Sequence, residues 1–291
     1  MLLIKTIDIF QNYLKLTKPR IIPLLLITAI GGMLLAAKEM PDITIILTVL
    51  IAGSLASGGA SSINQYLEHD IDTKMSRTNN RPIASGNIRP INALIFGIAL
   101  NLISLILFVI YTNLISGLIA ISATLFYVVI YTMILKRSTH QNIVIGGAAG
   151  ALPPIIGWTS VTGSIGMPAI LLFLIIFLWT PPHFWALSLI LKDDYAAAKI
   201  PMLPVVHGIE KTKKEIFKYS IIVFLSTLSL IFVKSIGLIY IIPSFILGII
   251  FIYLSWDLLK SKNIEKAKRL FFYSMLYLSI IFLAIMIDSL M

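Results

Sequence analysis

No cysteine occurs among the 291 residues, and only 12% of the residues are charged. The first absence excludes a disulfide framework, thiolate metal sites and thiol nucleophiles. The second excludes a water-soluble fold, because a soluble domain carries about 25% charged residues and the polar side chains here are too few to cover its surface. Apolar residues take their place, with 58% of the chain hydrophobic and a mean hydropathy of +0.96. The chain reads as a bilayer protein. Acidic residues are the scarcer sign, 13 against 23 Lys and Arg, for a net charge of +10. Such a balance in an apolar chain points to cytoplasmic loops, where Lys and Arg collect and fix orientation; no nucleic-acid partner is expected. Residues 1–20 mix Lys5, Asp8, Lys15, Lys18 and Arg20 with apolar residues, so no cleavable signal peptide is expected either.

A helix needs about 20 mostly apolar residues to cross the hydrocarbon. Charge-free runs fill 21–37, 43–67, 90–135, 138–191, 219–233, 235–256 and 270–287. Two are of double length and contain breaks, at Tyr111-Thr112-Asn113 and between Thr159 and Gly166. Nine spans follow, near 21–37, 42–63, 91–111, 114–134, 142–158, 167–191, 216–234, 237–256 and 270–290, in a single domain over 1–291. With that count, 21 of the 23 Lys and Arg fall on one face, leaving only Lys38 and Lys234 on the other. The N-terminus is therefore expected in the cytoplasm and the C-terminus across the membrane. Two cytoplasmic connections, about 64–90 and 192–215, are much longer than the rest, and long loops with their own charge pattern are usually functional.

The first long loop carries Asn64, Glu68 and Asp72 at four-residue intervals. On a helix continuing out of the second span they would share one face. Oxygen ligands in that number suit Mg²⁺, which keeps several waters and favours phosphate as a further ligand. Arg77 and Arg81 follow four apart, with Lys74 between them and the acids; guanidinium groups make paired contacts to phosphate oxygens. The second loop opens with Lys192-Asp193-Asp194-Tyr195, and Lys136-Arg137 ends the fourth span on the same side. Carboxylates for a metal beside cations for the remaining negative charge are what a Mg²⁺–diphosphate complex requires. The alternative is a solvated loop in which Glu68, Asp70 and Asp72 simply pair with Lys74, Arg77 and Arg81.

His183 stands inside the sixth span, in Trp179-Thr180-Pro181-Pro182-His183-Phe184-Trp185. Prolines remove backbone donors and are expected to break the helix there. An ionisable side chain at that depth is a functional candidate: a neutral imidazole can ligate a haem iron or act as a base. The competing reading is a histidine bonded to a carbonyl freed by the prolines. His69, His140 and His207 fall in loops and read as solvated.

Together, Asn64-xxx-Glu68-xxx-Asp72 with Lys74-Met-Ser-Arg77-Thr-Asn-Asn-Arg81-Pro82 resembles the first signature of the UbiA-type intramembrane prenyltransferases. Tyr131 to Thr139, Trp179 to Trp185 and Lys192 to Pro204 are similar to the haem-modifying branch of that family. Two departures stand out. Glu68 replaces the usual Asp, and Ile190 and His183 stand where the wider family has acidic residues before its second Asp pair. The resemblance implies an all-α, multi-pass membrane protein, a nine-transmembrane-helix bundle around a central cavity, in a bacterial inner membrane. It implies Mg²⁺-assisted transfer of farnesyl from farnesyl diphosphate to a vinyl group of haem b. On these positions it implies metal ligands Asn64, Glu68, Asp72, Asp193 and Asp194, and diphosphate ligands Lys74, Arg77, Arg81, Lys136, Arg137 and Lys192. His183 and Trp185 are implied at the haem. The next enzyme of haem A synthesis or a terminal oxidase is the implied protein partner. The rival readings are a quinone or chlorophyll precursor as acceptor, or a transporter, whose ionisable residues should line a path through the bilayer.

Overall fold

A computed structural model describes residues 2–291, with side chains from residue 8 onward; the side chain of Lys5 lies outside the described residues. The chain is helical throughout. In order come α1 (Leu2–Leu16), α2 (Ile22–Ala37), α3 (Ile43–Leu67), the single turn α4 (His69–Asp72), α5 (Pro90–Tyr111) and α6 (Leu114–Leu125). A π-helical segment, Phe126–Leu135, carries α6 directly into α7 (Lys136–Ser138). Then follow α8 (Asn142–Gly150), α9 (Pro153–Thr162), α10 (Met167–Ile190), the short α11 (Lys192–Ala197) and α12 (Leu203–Val206), α13 (Gly208–Leu228), α14 (Leu238–Lys260) and α15 (Glu265–Ser289). Among the described residues, eight continuous or kinked helices are long and apolar enough to cross a membrane, and the shorter apolar α2 makes the ninth expected span.

The turns lie where the sequence places them. The Asn113 side chain accepts from Ser116 N at 2.9 Å and caps α6, satisfying one of the free N–H groups of a helix start. Gly163, with φ +66°, ends α9. Helix ends on the charged side differ from expectation. α13 starts at Gly208 and α15 at Glu265, earlier than the apolar runs. Ion pairs along α13, Lys213–Glu210 at 2.8 Å and Lys211–Glu215 at 3.1 Å, hold its first turns beyond the hydrocarbon. A charge-free run thus measures the membrane and not the helix. α10 is also corrected: it runs unbroken through Pro181 and Pro182. Only two N–H groups are lost, and buried neighbours on both sides hold the rod together, with Thr180 Oγ1 donating to Ile176 O at 2.8 Å. The fifth span bends instead, between α8 and α9, where Pro153 opens the new helix at a position that needs no N–H.

One apolar core joins α10, α13, α14 and α15, and a second joins α2, α3, α5, α6 and α9. Contact between α2 and α9 is backbone to backbone. A Cβ on Gly157 would stand 1.8 Å from Ala29 O, and one on Gly32 2.1 Å from Pro154 O; small residues permit such close approach in membranes. Gly157→Val should therefore cost about 3 kcal/mol or more and lower the Tm in detergent. Gly150→Ala, with open space around its position, should leave the Tm unchanged. Equal losses in the two variants would contradict this packing.

A third cluster lies at the charged end. Ile71 and Met75 from the first long loop pack with Tyr195, Ala198, Ile200 and Met202 from the second. The two loops, far apart in sequence, form one cap over the bundle.

Candidate active site

α3 ends at Leu67, and Glu68 caps it with φ −104°, outside helical geometry. The three residues spaced by four therefore do not ride one continuous helix as expected. They still converge, because α4 turns Asp72 back toward the bundle. Asn64, Glu68 and Asp72 are each at most 2% exposed. Buried carboxylates need partners, and each has a cation from another element. Arg81 NH1 donates to both oxygens of Asp72 at 2.8 Å. Lys136 Nζ donates to Glu68 Oε1. Lys18 Nζ donates to Asn64 Oδ1 at 3.1 Å, while Asn64 Nδ2 donates to Thr132 Oγ1 at 3.0 Å.

The π segment supplies one of these partners, Thr132, and leads directly into another, Lys136 of α7. Its wider turn lets Thr132 Oγ1 donate to Tyr127 O at 2.9 Å, and brings Thr132 and Lys136 up to Asn64 and Glu68; π segments within helices recur at functional sites. Lys18 adopts a left-handed backbone, φ +50°, just before Pro19. Neither Lys18 nor Thr132 stands out as a site residue in the sequence, because the long-range pairing that places them has no local signal.

Electrostatics follow from enclosure. Burial lowers the Lys18 ammonium to about 7, with Arg81 acting in the same direction. Burial opposes ionisation of Glu68, but Lys136, Lys18 and Arg81 outweigh it and hold the carboxyl below the usual range. The cluster packs two buried carboxylates against three cations.

Of the second loop, Asp194 Oδ2 accepts from Ser76 Oγ at 2.6 Å, joining the loops. Asp193 is exposed, as is Arg77, and Lys192 is half-buried. Among the described residues no three acidic or histidine side chains form a ready-made metal cage. Lys74 and Arg137 lie apart from the cluster, lining a surface pocket with Asp70 and Lys199. Arg137 holds Asp70 in a paired contact at 2.8 and 3.0 Å, and that bond keeps the Asp70 carboxyl below its ordinary range.

His183 is buried between α10 and α15. Trp179 covers one ring face, centroids 4.2 Å apart and 17° from parallel, and Phe271 stacks at 4.7 Å and 23°. Ser274 Oγ donates to Phe271 O at 2.6 Å, so it accepts from His183 Nδ1–H at 2.7 Å. That fixes the tautomer with the unshared pair on Nε2. The partner of His183 is thus a serine hydroxyl, and not a carbonyl freed by the prolines. Trp185 does not share this environment: it packs edge-to-face on Tyr219 of α13, centroids 5.2 Å apart, because two residues along a helix turn a side chain to the far side. His140 and His207 are in mutual edge contact at 4.4 Å, and His69 Nδ1 lies 2.9 Å from Tyr66 O.

Similarity to known proteins covers nearly the whole chain. The model of the UbiA prenyltransferase family matches residues 25–280. A relative from Gloeothece citriformis named protoheme IX farnesyltransferase is 47% identical over 287 residues, covering 98% of this chain and 88% of its own. One of the same name from Trichormus variabilis is 47% identical over 286 residues, covering 98% and 90%. Among solved structures, one described as digeranylgeranylglyceryl phosphate synthase shares the fold with a TM-score of 0.80 at 23% identity, covering 97% of this chain and 99% of that one. A UbiA homologue from Archaeoglobus fulgidus bound to DMAPP and Mg²⁺ superposes with a TM-score of 0.66 at 16% identity, covering 94% and 99%. With the family model matched across residues 25–280 and relatives 47% identical over 98% of its length, this chain is a multi-pass membrane enzyme that belongs to the UbiA prenyltransferase family.

Proposed function

We propose that the protein transfers the farnesyl group of farnesyl diphosphate to a vinyl group of haem b, with addition of one water and release of diphosphate. The observation that carries this reading is the buried cluster of Asn64, Glu68 and Asp72, each paired with a cation from another element. The names of the relatives support both substrates.

The donor set fits Mg²⁺. It consists of hard oxygens, two carboxylates and an amide, and Mg²⁺ needs only one or two protein carboxylates when waters and phosphate complete its shell. A bound Mg²⁺ would neutralise charge on the leaving diphosphate. Asn64, Glu68 and Asp72 would hold it, with Asp194 reaching from the second loop. Arg81, Lys136 and Lys18 would then exchange their carboxylate and amide partners for phosphate oxygens, stabilising the charge that develops as the allylic C–O bond breaks. The exchange keeps every buried charge paired. The packed cap of Ile71, Met75, Tyr195 and Ile200 keeps bulk water from the allylic cation. Attack by the vinyl group moves the positive charge to the carbon next to the porphyrin ring. One water adds there and loses a proton, giving a hydroxyl. His183 holds the acceptor: both ring faces are covered and Nδ1 is spoken for, so the Nε2 edge is the part offered to an iron.

Diphosphate release tests this reading. It should require both haem b and Mg²⁺; release at the same rate without haem, or with a quinone precursor in its place, would reject haem as acceptor.

The active cap lies in the cytoplasm of a bacterial inner membrane, and 1–291 acts as one domain. This orientation rests on the 21 basic residues at one face. Because the chain has no cysteine, single cysteines can be labelled cleanly. A cysteine at Arg77 should react with an impermeant reagent only from the cytoplasmic side, and one at Lys38 only from the other. Labelling of both from one side would overturn the orientation.

A further inference from the structure

α4 divides the charged residues of the first loop. Glu68 and Asp72, four apart, are buried in the cluster described above, whereas Asp70 and Lys74, also four apart, are exposed on the opposite face. Between that outer face, the end of α7 and the residues after α11 lies a pocket of about 220 Å³. Asp70, Lys74, Arg137 and Lys199 supply its polar wall, and Ile71 and Ile200 its apolar floor. Asp70 is taken up by Arg137, bidentate at 2.8 and 3.0 Å. Lys74 and Lys199 have no ion-pair partner among the described residues. The pocket is therefore lined by two lysines without an ion-pair partner, beside a guanidinium fixed in direction by Asp70 and by Leu67 O at 2.9 Å. Its place, beside α7 and just past the end of α11, is at the boundary between the spans and water.

Lys199 supplies a second observation. It has φ +56° and occupies the left-handed position of a complete C-terminal motif on α11: Ile200 N donates to Tyr195 O at 2.9 Å and Lys199 N to Ala196 O at 3.0 Å. That position favours glycine or asparagine. A lysine there is strained, and Lys199 is one of the residues that line the pocket. Strain held at a site is a reason to look for function.

We propose that Lys74, Lys199 and Arg137 form a second phosphate-binding pocket, separate from the Glu68–Asp72 cluster, for the phosphate group of an anionic phospholipid or of free diphosphate. Two point charges and one planar donor suit a phosphate group, and both sources occur at this surface. Anionic headgroups are drawn to basic residues beside membrane spans, and diphosphate leaves from the neighbouring cluster.

Thermal unfolding of the full chain in nanodiscs tests the proposal without reference to turnover. The probes are phosphatidylglycerol, in an equal mixture with phosphatidylcholine, and inorganic diphosphate titrated into phosphatidylcholine discs. Lys199→Gly relieves the backbone strain, so its Tm in pure phosphatidylcholine should equal or exceed that of the wild type. Its apparent affinity for one of the two probes should nevertheless be weaker by about ten-fold, the effect of one charge-assisted contact. Lys199→Asn, which also tolerates the left-handed backbone, should behave alike, and Lys74→Gln should weaken the same probe. A selective loss of the phosphatidylglycerol response identifies a headgroup site, and a selective loss of the diphosphate response a site for the free anion. If the Lys199 variants respond to both probes as the wild type does, the pocket binds no phosphate and the proposal fails.

Discussion

Asp72→Ala should lower kcat by about 10²–10³-fold, the loss of one preorganised charge at the centre of reaction. The geometry sets this expectation. Asp72 is 2% exposed and takes both hydrogen bonds from Arg81 NH1 at 2.8 Å, so its removal takes away the proposed metal ligand and leaves Arg81 without its partner. The second consequence is a matter of stability, and Asp72→Asn separates the two. Asparagine keeps the shape and one acceptor for Arg81 but lacks the charge. Asn should therefore restore most of the Tm and little of the activity, and more Mg²⁺ should be needed for half-maximal rate. Turnover within a few-fold of wild type at unchanged Mg²⁺ dependence would remove Asp72 from the ligand set.

The second large effect concerns haem and spares the diphosphate. His183→Ala should abolish saturable haem b binding and reduce turnover accordingly, with farnesyl diphosphate affinity nearly intact. Its polar contact belongs to α15, through Ser274, and none reaches Asn64, Glu68 or Asp72. Ser274→Ala is the finer test. Without the hydroxyl that accepts from Nδ1–H, the imidazole loses the bond that orients it, and such supporting bonds are worth about 10–100-fold in metal affinity. The haem Soret band should report the change directly. Loss of diphosphate affinity with haem binding unchanged would assign His183 to the leaving group, the role its acidic counterpart suggests in the wider family. Haem and diphosphate binding both at wild-type values in the two variants would make His183 a packing residue between Trp179 and Phe271.

Much of the fold is legible in the chain because the bilayer imposes a single simple rule. Charge-free runs mark the spans, and Asn113 and Gly163 mark two of the turns. The helix ends are less legible, since α13 begins two turns earlier on a charged segment held by ion pairs and by Lys213 donating to Ser261 O. The amphipathic start Leu2–Leu16 shows only as mixed charge and apolar residues, below the length and purity of a span. α10 teaches the opposite lesson. Pro181 and Pro182 suggest a break, yet packing on both sides keeps the helix continuous.

For the site, the spacing shows the acidic residues and the nearby Arg81, but not the pairings that come from far along the chain. Asn64, Glu68 and Asp72 follow a local period, whereas Lys18 lies 46 residues from Asn64 and Lys136 lies 68 from Glu68. Periodicity cannot report such pairings. Nor could it separate Arg81, inside the cluster, from Lys74 and Arg137, which line the outer pocket. Only the turn at Glu68 divides them.

The transfer itself is tested most directly by the mass of the haem product. Membranes containing the protein are incubated with farnesyl diphosphate, haem b and Mg²⁺, and the haem fraction is analysed by mass spectrometry. The expected product is haem b heavier by one farnesyl group and one water, formed only when all three components are present and absent with Asp72→Ala. Haem recovered at its original mass while prenyl groups appear on another acceptor would contradict farnesyl transfer to haem.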